Sequence, residues 1–212
     1  TQNQTNTDLV IGTANYDIGH VFGTNSGGLA GLGVICTGSK ARGVTGSGAP
    51  VNDAFDIDYV AHEMGHQFGG NHTFRASTSS CSGNANNSTA FEVGSGSTIM
   101  AYAGICGVNN VQANSDAYFH SASVNEMYNV IRRATDCSVK TSNNNQVPTA
   151  DAGADYVIPF STPFVLTGVG TDPDSNPITY LWEQLDNQNG AQPPVSTATG
   201  GPVYRSLFPT TS

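Results

Sequence analysis

The chain has few basic residues. Of its 212 residues, 7 are Lys or Arg and 16 are Asp or Glu, so the formal net charge at pH 7 is −9. Proteins that bind nucleic acid or anionic membrane surfaces use clustered Lys and Arg, because these side chains neutralise phosphates. The chain also lacks any apolar run of about 18 residues, the length that a helix needs to cross a bilayer. These absences argue against a nucleic-acid partner and against membrane insertion.

The four cysteines form no C-x-x-C pair, which argues against a zinc ribbon or a thioredoxin-like redox site. An even number of separated cysteines in a polar, loop-rich chain favours two disulfides and an oxidising compartment; four free, buried thiols are the alternative. The N-terminus is polar, begins without Met and has no signal-peptide pattern. We therefore expect a secreted, extracellular protein, seen here as a mature or excised piece whose targeting segment has been removed.

Composition divides the chain into two parts. Residues 1–140 form the first part, the polar stretch 141–147 is a linker, and residues 148–212 form the second part. In the first part, hydrophobic patterning predicts strands at 8–13 and 29–36 and helices at 54–68 and 121–134. In the second part, short apolar runs between Pro- and Asp-rich turns predict strands at 155–158, 164–166 and 178–185. The prediction is thus an α+β domain followed by a small all-β segment.

A histidine motif, His62-Glu63-x-x-His66-x-x-Gly69-x-x-His72, lies on and just beyond the helix predicted at 54–68. Residues four apart share a helix face, so the imidazoles of His62 and His66 lean towards one point. Glu63 lies about 100° round the helix, where it can reach a water on the metal without being a ligand. A continued helix would carry His72 away, so the chain must turn back at Gly69, which tolerates a left-handed conformation. Three neutral histidine ligands leave the fourth coordination position of the metal open for the water molecule that a catalytic zinc requires.

A lone H-x-x-x-H often consists of unrelated surface histidines, but five matched positions disfavour that interpretation. The full motif is that of the metzincin zinc endopeptidases. Downstream, the run Ser97-Thr98-Ile99-Met100-Ala101-Tyr102 resembles their Met-turn, in which a Met lies under the three histidines. Met100 alone would be an ordinary core residue.

The resemblance is closest to the reprolysin-like branch (adamalysin, or M12B-like). The segment 28–36 is similar to that branch's edge strand leading to a cysteine, and the stretch from Phe119 to Cys137 is similar to its C-terminal helix. The resemblance implies a metzincin-type catalytic domain with one catalytic Zn²⁺ and with Glu63 as the general base. The implied zinc ligands are His62, His66 and His72. The two remaining histidines, His20 and His120, are then structural or surface residues.

The same resemblance implies further roles. It pairs Cys36 with Cys137 and Cys81 with Cys106, whereas the sequence alone allows three connectivities. It also implies that an extended substrate adds itself as a strand beside the edge strand. The edge-strand residues expected to bind substrate are Leu29, Ala30, Gly31 and Leu32. The alternative is a glycine-rich connection with no substrate role.

Some features depart from the family pattern. Thr73 follows the third histidine, where reprolysins usually carry Asp. Tyr102 stands two residues after Met100, as in the astacin, serralysin and pappalysin branches. In the first two branches that tyrosine can ligate zinc and support the transition state; the alternative is a tyrosine that packs beneath the site. Only 28 residues precede Leu29, so we expect the N-terminal scaffold of the domain to be missing or to lie on another piece.

The second part resembles a PKD-like or immunoglobulin-like β-sandwich, with Trp182 as its core tryptophan. About 65 residues are present, against about 100 in an immunoglobulin-type sandwich, so the module is expected to be incomplete. A spacer is favoured over a substrate- or surface-binding accessory. Asp172 and Asp174 could bind Ca²⁺, but a solvated turn is favoured and nothing in the sequence supports a calcium site.

The resulting hypothesis is a secreted zinc endopeptidase that hydrolyses peptide bonds in protein or peptide substrates by Glu-assisted attack of a zinc-bound water. The alternative is a binding or adhesion fragment with an idle or incomplete protease centre. Retention of Glu63 argues against a decayed enzyme, because an idle site has no need of that base. The sequence does not predict an oligomeric state.

Overall fold

The computed structural model describes residues 2–133 and 137–211. The chain forms two compact units, Thr1–Val139 with Trp182–Phe208, and Lys140–Leu181 with Pro209–Ser212. The first unit contains both helices and strands, so the predicted mixed α/β class is confirmed for it. None of the helices among the described residues is both long and apolar enough to cross a membrane.

A three-stranded sheet lies near the start of the first unit. Its strands are β1 (Val21–Gly23), β2 (Gly27–Ala30) and β3 (Gly43–Gly46), in the order β1-β3-β2. The strands β1 and β3 are parallel, whereas β2 and β3 are antiparallel, with Leu29 opposite Val44. The strand β2 therefore forms one edge of this sheet, as the family resemblance implied.

The predicted helix at 54–68 is present as three consecutive segments, which we call the histidine helix. They are α2 (Asp53–Phe55), a π-helical stretch (Asp56–Ala61) and α3 (His62–Gln67). The buried side chain of Gln67 ties its C-terminal end to the sheet region: its Nε2 donates to Gly19 O at 3.0 Å, and its Oε1 lies 2.6 Å from His20 Nδ1. His20 thus has the structural role expected of it.

The second predicted helix is present as α4 (Ser121–Arg133). A further helix, α1 (Gln2–Val10), lies at the start of the first unit. The final predicted residue of α4, Ala134, lies outside the described residues. Short 3₁₀ turns occur at Thr13–Asn15, Ser79–Cys81 and Gly107–Asn109.

Two strand predictions in the first part need correction. Residues 8–10 belong to α1 rather than to a strand, because side chains one turn apart, such as Gln4 and Asp8, bond along a helix. The strand predicted at 29–36 ends at Ala30, because the chain then turns; Gly33 and Cys36 both have left-handed φ values near +60°.

Two disulfides are present, Cys36–Cys137 and Cys81–Cys106, the same pairs that the family resemblance implied. The second bridge belongs to a compact hydrophobic cluster of the first unit. The cluster contains Phe74, Ala76, Cys81, Ala101 and Cys106.

The segment Trp182–Phe208, which we call the C-terminal segment, packs within the first unit. Gln192 accepts a hydrogen bond from Gly94 N through its side chain and one from Asn109 Nδ2 through its backbone, both at 2.7 Å. The carbonyl of Leu207 accepts from the Tyr118 hydroxyl at 3.0 Å. The prediction of Trp182 as a buried core residue is wrong, because its side chain is 46% exposed and it lies in no strand.

The second unit contains one two-stranded antiparallel sheet, β4 (Thr149–Asp151) with β5 (Val169–Thr171), and a bridge between Tyr180 and Thr210. The predicted strands at 155–158, 164–166 and 178–185 are not formed. Their apolar side chains, such as Val157 and Val165, are exposed, so they have no second sheet to pack against. The apolar pattern predicted strands, but a strand also needs a surface to pack against, and the described residues do not supply one.

Candidate metal centre

The C-terminal half of the histidine helix places the first two histidines one turn apart. His62 and His66 both lie on α3, with ring centroids 4.8 Å apart and ring planes nearly perpendicular. The intervening Gly65 lets the helix approach the turn below it, since a Cβ built there would lie 2.4 Å from Met100 Sδ. Met100 is fully buried directly under the helix.

The chain reverses direction immediately after α3. Gly69 has a φ of +104°, a backbone conformation that is strained for a residue with a side chain. Its N–H donates to His66 O at 2.8 Å. Gly70 N donates back to Gly65 O at 2.9 Å. Both Asn71 donors, N and Nδ2, bond the Glu126 carboxylate on α4, at 2.9 and 2.7 Å. The turn is therefore fixed on both sides before the third histidine.

This reversal brings the three histidines of the motif together. The Nε2 atom of His72 lies 3.2 Å from that of His62 and 3.1 Å from that of His66. One ring nitrogen from each of the three lies within 4.8 Å of the other two. Around a tetrahedral zinc with Zn–N distances of about 2.0–2.1 Å, neighbouring nitrogens are separated by about 3.3 Å. The observed spacing matches that requirement closely.

Hydrogen bonds fix the proton positions on all three rings. Each Nδ1 lies 2.7 Å from a backbone carbonyl oxygen, and a carbonyl oxygen only accepts. Each Nδ1 must therefore carry the proton, which leaves Nε2 as the lone-pair nitrogen on each ring. The carbonyls belong to Ile99 for His62, Gly70 for His66 and Asn84 for His72. Backbone carbonyls of this kind orient metal-binding histidines in known sites.

Three lone pairs that converge at about 3 Å repel one another unless a cation lies between them. The donor set therefore fits a divalent metal, and three imidazoles without thiolates fit zinc among the common ions. Burial acts in the same direction, because it lowers the pKa of each ring. The pKa of His62 is held well below its ordinary value by burial and by the other two histidines, and burial lowers the pKa of His72 to about 4. Neutral imidazoles are the form that binds metal.

Glu63 lies beside this cluster in a pocket left by a glycine. A Cβ at Gly28 on β2 would lie 2.2 Å from Glu63 Oε1 and 2.5 Å from its Cγ, so the side chain fills the space beside the edge strand. Burial raises the pKa of the Glu63 carboxyl to about 7. A nearby divalent cation would favour its carboxylate form. A carboxyl of that pKa suits the acceptance and return of a proton near neutral pH.

Tyr102 packs against the histidines. Its ring centroid lies 4.6 Å from that of His72 and 5.4 Å from that of His62, and its ring also stacks on Phe74 at 4.6 Å. Burial raises the pKa of its hydroxyl, and the nearby Glu63 raises it further, so the phenol keeps its proton. A protonated phenol beside the metal position can donate a hydrogen bond.

The four edge-strand residues expected to bind substrate divide into two pairs. Leu29 and Ala30 lie on β2, and the Leu29 side chain is 75% exposed. Gly31 and Leu32 follow in the turn, where Gly31 N donates to Arg42 O at 2.7 Å.

Several supporting residues escaped the sequence analysis. Gly28 was considered only as part of a strand, and nothing in the sequence links it to Glu63. The carbonyl of Asn84 could not be foreseen, because any residue can supply one. Glu92 did leave a signal: it is the single acidic residue between His72 and Asp116. Glu92 is buried between Thr73 and Thr98. His120 is also buried, and it lies beside Glu183.

Comparison with known proteins agrees with this geometry. No curated protein matches the chain. A family model described as metallo-peptidase family M12B, reprolysin-like, matches residues 1–133, which include all three histidines, Glu63 and Met100. The match covers more than half of the sequence. On this evidence the chain belongs to the reprolysin-like metallopeptidases of family M12B.

Proposed function

We propose that the chain is a zinc-dependent endopeptidase acting on protein or peptide substrates. One observation carries the proposal: three Nε2 lone pairs, fixed by backbone carbonyls, face one another beside the buried carboxyl of Glu63. Membership of a metallopeptidase family supports peptide-bond hydrolysis as the reaction. In this proposal His62, His66 and His72 are the metal ligands, and Met100 is the Met-turn residue beneath them.

When bound, zinc polarises the scissile carbonyl and lowers the pKa of a coordinated water. The chain's own residues then handle protons. Glu63 accepts the proton of the attacking water and delivers it to the leaving amine, so the base of one step is the acid of the next. The Tyr102 hydroxyl donates to the oxygen on which negative charge develops.

The substrate is proposed to lie extended along β2. This strand forms one edge of the sheet, which supports main-chain pairing with an added strand. Leu29, Ala30, Gly31 and Leu32 would then contact the substrate. Gly28 brings the Glu63 carboxyl directly against the same strand, so an extended peptide there would pass beside the general base.

Two disulfides support secretion, because disulfides persist in oxidising compartments. The remaining proposal concerns the second unit of the chain. The antiparallel pair β4–β5 supports a β-rich module, which we propose to be PKD-like or immunoglobulin-like and to act as a spacer.

The first test compares the unaltered chain with Glu63→Gln, measuring zinc content by elemental analysis and casein cleavage with and without a chelator. We expect one zinc per chain for both proteins and chelator-sensitive cleavage for the unaltered chain only. Gln keeps the shape of Glu but cannot take a proton, so cleavage should fall by at least about 100-fold. Zinc without cleavage in the unaltered chain would favour an idle centre, and absence of zinc would refute the proposal.

The role proposed for Tyr102 has its own test. Tyr102→Phe keeps the ring contacts with His72 and Phe74 but removes the donor. Loss of one donor to a developing oxyanion costs about 10²–10³ in kcat. We expect a loss of this size in kcat with KM little changed and zinc retained. An unchanged kcat would assign Tyr102 to packing alone.

A further inference from the structure

A second buried carboxylate lies next to the metal centre without facing it. Glu92 is 2% exposed. Its Oε1 accepts from the hydroxyls of Thr73, at 2.6 Å, and Thr98. Its Oε2 accepts from the backbone N–H groups of Ser97, at 2.7 Å, and Thr98, at 3.1 Å. The Ser97 hydroxyl also donates to Oε2, at 3.4 Å. Five donors therefore surround the carboxylate, and among the described residues no basic group lies within ion-pair distance of it.

These donors come from the two segments that orient the histidines. Thr73 directly follows His72. Ser97 and Thr98 directly precede Ile99, whose carbonyl accepts from His62 Nδ1. Glu92 thus links two segments. One is the stretch that follows the third histidine, His72, and the other is the turn whose Ile99 carbonyl orients the first histidine, His62.

The backbone reinforces the same connection. Glu92 N donates to Thr73 O at 2.8 Å, and Thr73 N donates to Met100 O at 3.1 Å. The position of Thr73 is therefore fixed from both sides, by Glu92 and by the Met100 turn. A shift of the turn would move the carbonyl of Ile99 and so rotate the His62 ring, while a shift of Thr73 would move His72.

We propose that Glu92 is a positioning residue for the metal centre: its carboxylate sets the separation of the His62 and His72 Nε2 atoms by holding the turn at 97–98 against Thr73. This inference rests on the proposed metal site and deepens it. A carboxylate suits this place because only an acceptor-rich group can satisfy two backbone N–H groups and three hydroxyls at once. Partners of this kind behind the ligands change metal affinity by about 10–100-fold when removed.

The test measures Co²⁺ binding by the full metal-free chain, through the visible d–d absorption of the bound ion. The main variant, Glu92→Ala, should weaken Co²⁺ binding by about 10–100-fold and change the visible spectrum, because the histidines lose their separation. Glu92→Gln should restore affinity to within about threefold, since its amide oxygen can serve both backbone donors while its NH₂ faces hydroxyls able to accept.

A second variant covers the case in which Glu92→Ala does not fold. Thr73→Val is nearly isosteric, removes one donor to the carboxylate, and should also weaken Co²⁺ binding measurably. The matched control is Thr78→Val. Thr78 donates to Cys106 O and Asn109 Oδ1 in the same region, without contact to the histidines, so its loss should lower stability but leave the spectrum and affinity unchanged.

Two results would overturn the inference. One is unchanged Co²⁺ affinity and spectrum in both Glu92→Ala and Thr73→Val. The other is an equal loss of affinity in Thr78→Val, which would show general destabilisation instead of positioning. A different failure, no Co²⁺ binding by the unaltered chain, would refute the metal site itself.

Discussion

At the residue scale, Gly28 determines where the Glu63 carboxyl can lie. The absence of a Cβ at Gly28 leaves the space that Glu63 Oε1, Cδ and Cγ occupy, all within 2.5 Å of where that Cβ would be. Glu63 is itself nearly buried, so it has little room to move aside. The position of the Glu63 carboxyl therefore depends on Gly28 of the edge strand having a hydrogen atom in place of a Cβ.

We predict that Gly28→Ala retains zinc but loses activity. The added methyl must displace Glu63, and a shift of about 1 Å in a reacting group costs about 100-fold in rate. The measurements are zinc content and kcat/KM for a peptide substrate. Gly23→Ala on strand β1 of the same sheet is the matched control, because nothing lies within 4 Å of its added Cβ. Equal activity of the two variants would contradict the role assigned to Gly28.

Residue-scale features also show how far the sequence could predict the site. The motif predicted that His62, His66 and His72 meet, because helix periodicity and one glycine turn are local properties. It could not predict the partners of their Nδ1 atoms. Two of these carbonyls, at Ile99 and Asn84, come from loops 37 and 12 residues away, and any side chain can stand at such a position.

At the element scale, the turn after α3 depends on the conformation of Gly69. We predict that Gly69→Ala lowers the free energy of unfolding by about 1–3 kcal/mol, the usual range for a residue held in an unfavourable backbone conformation. The new Cβ would also lie 2.4 Å from Val130 Cγ2 on α4. Urea unfolding of the metal-free chain measures the loss, and zinc affinity should fall with it because His72 follows this turn.

A double variant separates the two causes. Gly69→Ala with Val130→Ala removes the closest contact with α4, that to Val130 Cγ2, and leaves only Cβ of residue 130 at 3.3 Å, but keeps the backbone strain. The double variant should therefore remain less stable than Val130→Ala alone. Equal stability of those two proteins would mean that the φ of Gly69 carries no cost.

Elements with a periodic apolar face were predictable, and elements without one were not. The histidine helix and α4 were predictable from apolar residues at helical spacing. The stripe on α4 is only partly covered, since Val124, Tyr128 and Ile131 stay 44–55% exposed. The short strands β1, β2 and β3 contain five glycines in eleven residues and have no such pattern. In the second part, the apolar runs at 155–158 and 164–166 resembled strands but remain exposed, because a strand pattern specifies a face and not the sheet that covers it.

At the scale of the whole molecule, the first unit includes chain far beyond the family match. The match ends at residue 133, yet Trp182–Phe208 belongs to the same compact unit as Thr1–Val139. Some contacts of this segment reach loops near the Met100 turn: Gly94 N donates to the Gln192 side chain, and Ser206 O accepts from Ser97 Oγ at 3.2 Å. Such polar contacts between distant stretches leave no periodic trace, which is why the sequence placed the segment in a separate domain.

The C-terminal segment should therefore contribute to the stability of the unit that contains the metal centre. Gln192→Ala leaves the buried Gly94 N–H without its acceptor, and an unsatisfied buried donor costs about 1–3 kcal/mol. We predict a fall of that size in the free energy of unfolding, measured by urea denaturation of the full chain and followed by the fluorescence change of its single Trp. The exposed side chain of Gln146 supplies the control, since Gln146→Ala should leave the unfolding midpoint in place. If Gln192→Ala unfolds at the same urea concentration as that control, the Gln192 side chain makes no stabilising contact at Gly94 and the prediction is refuted.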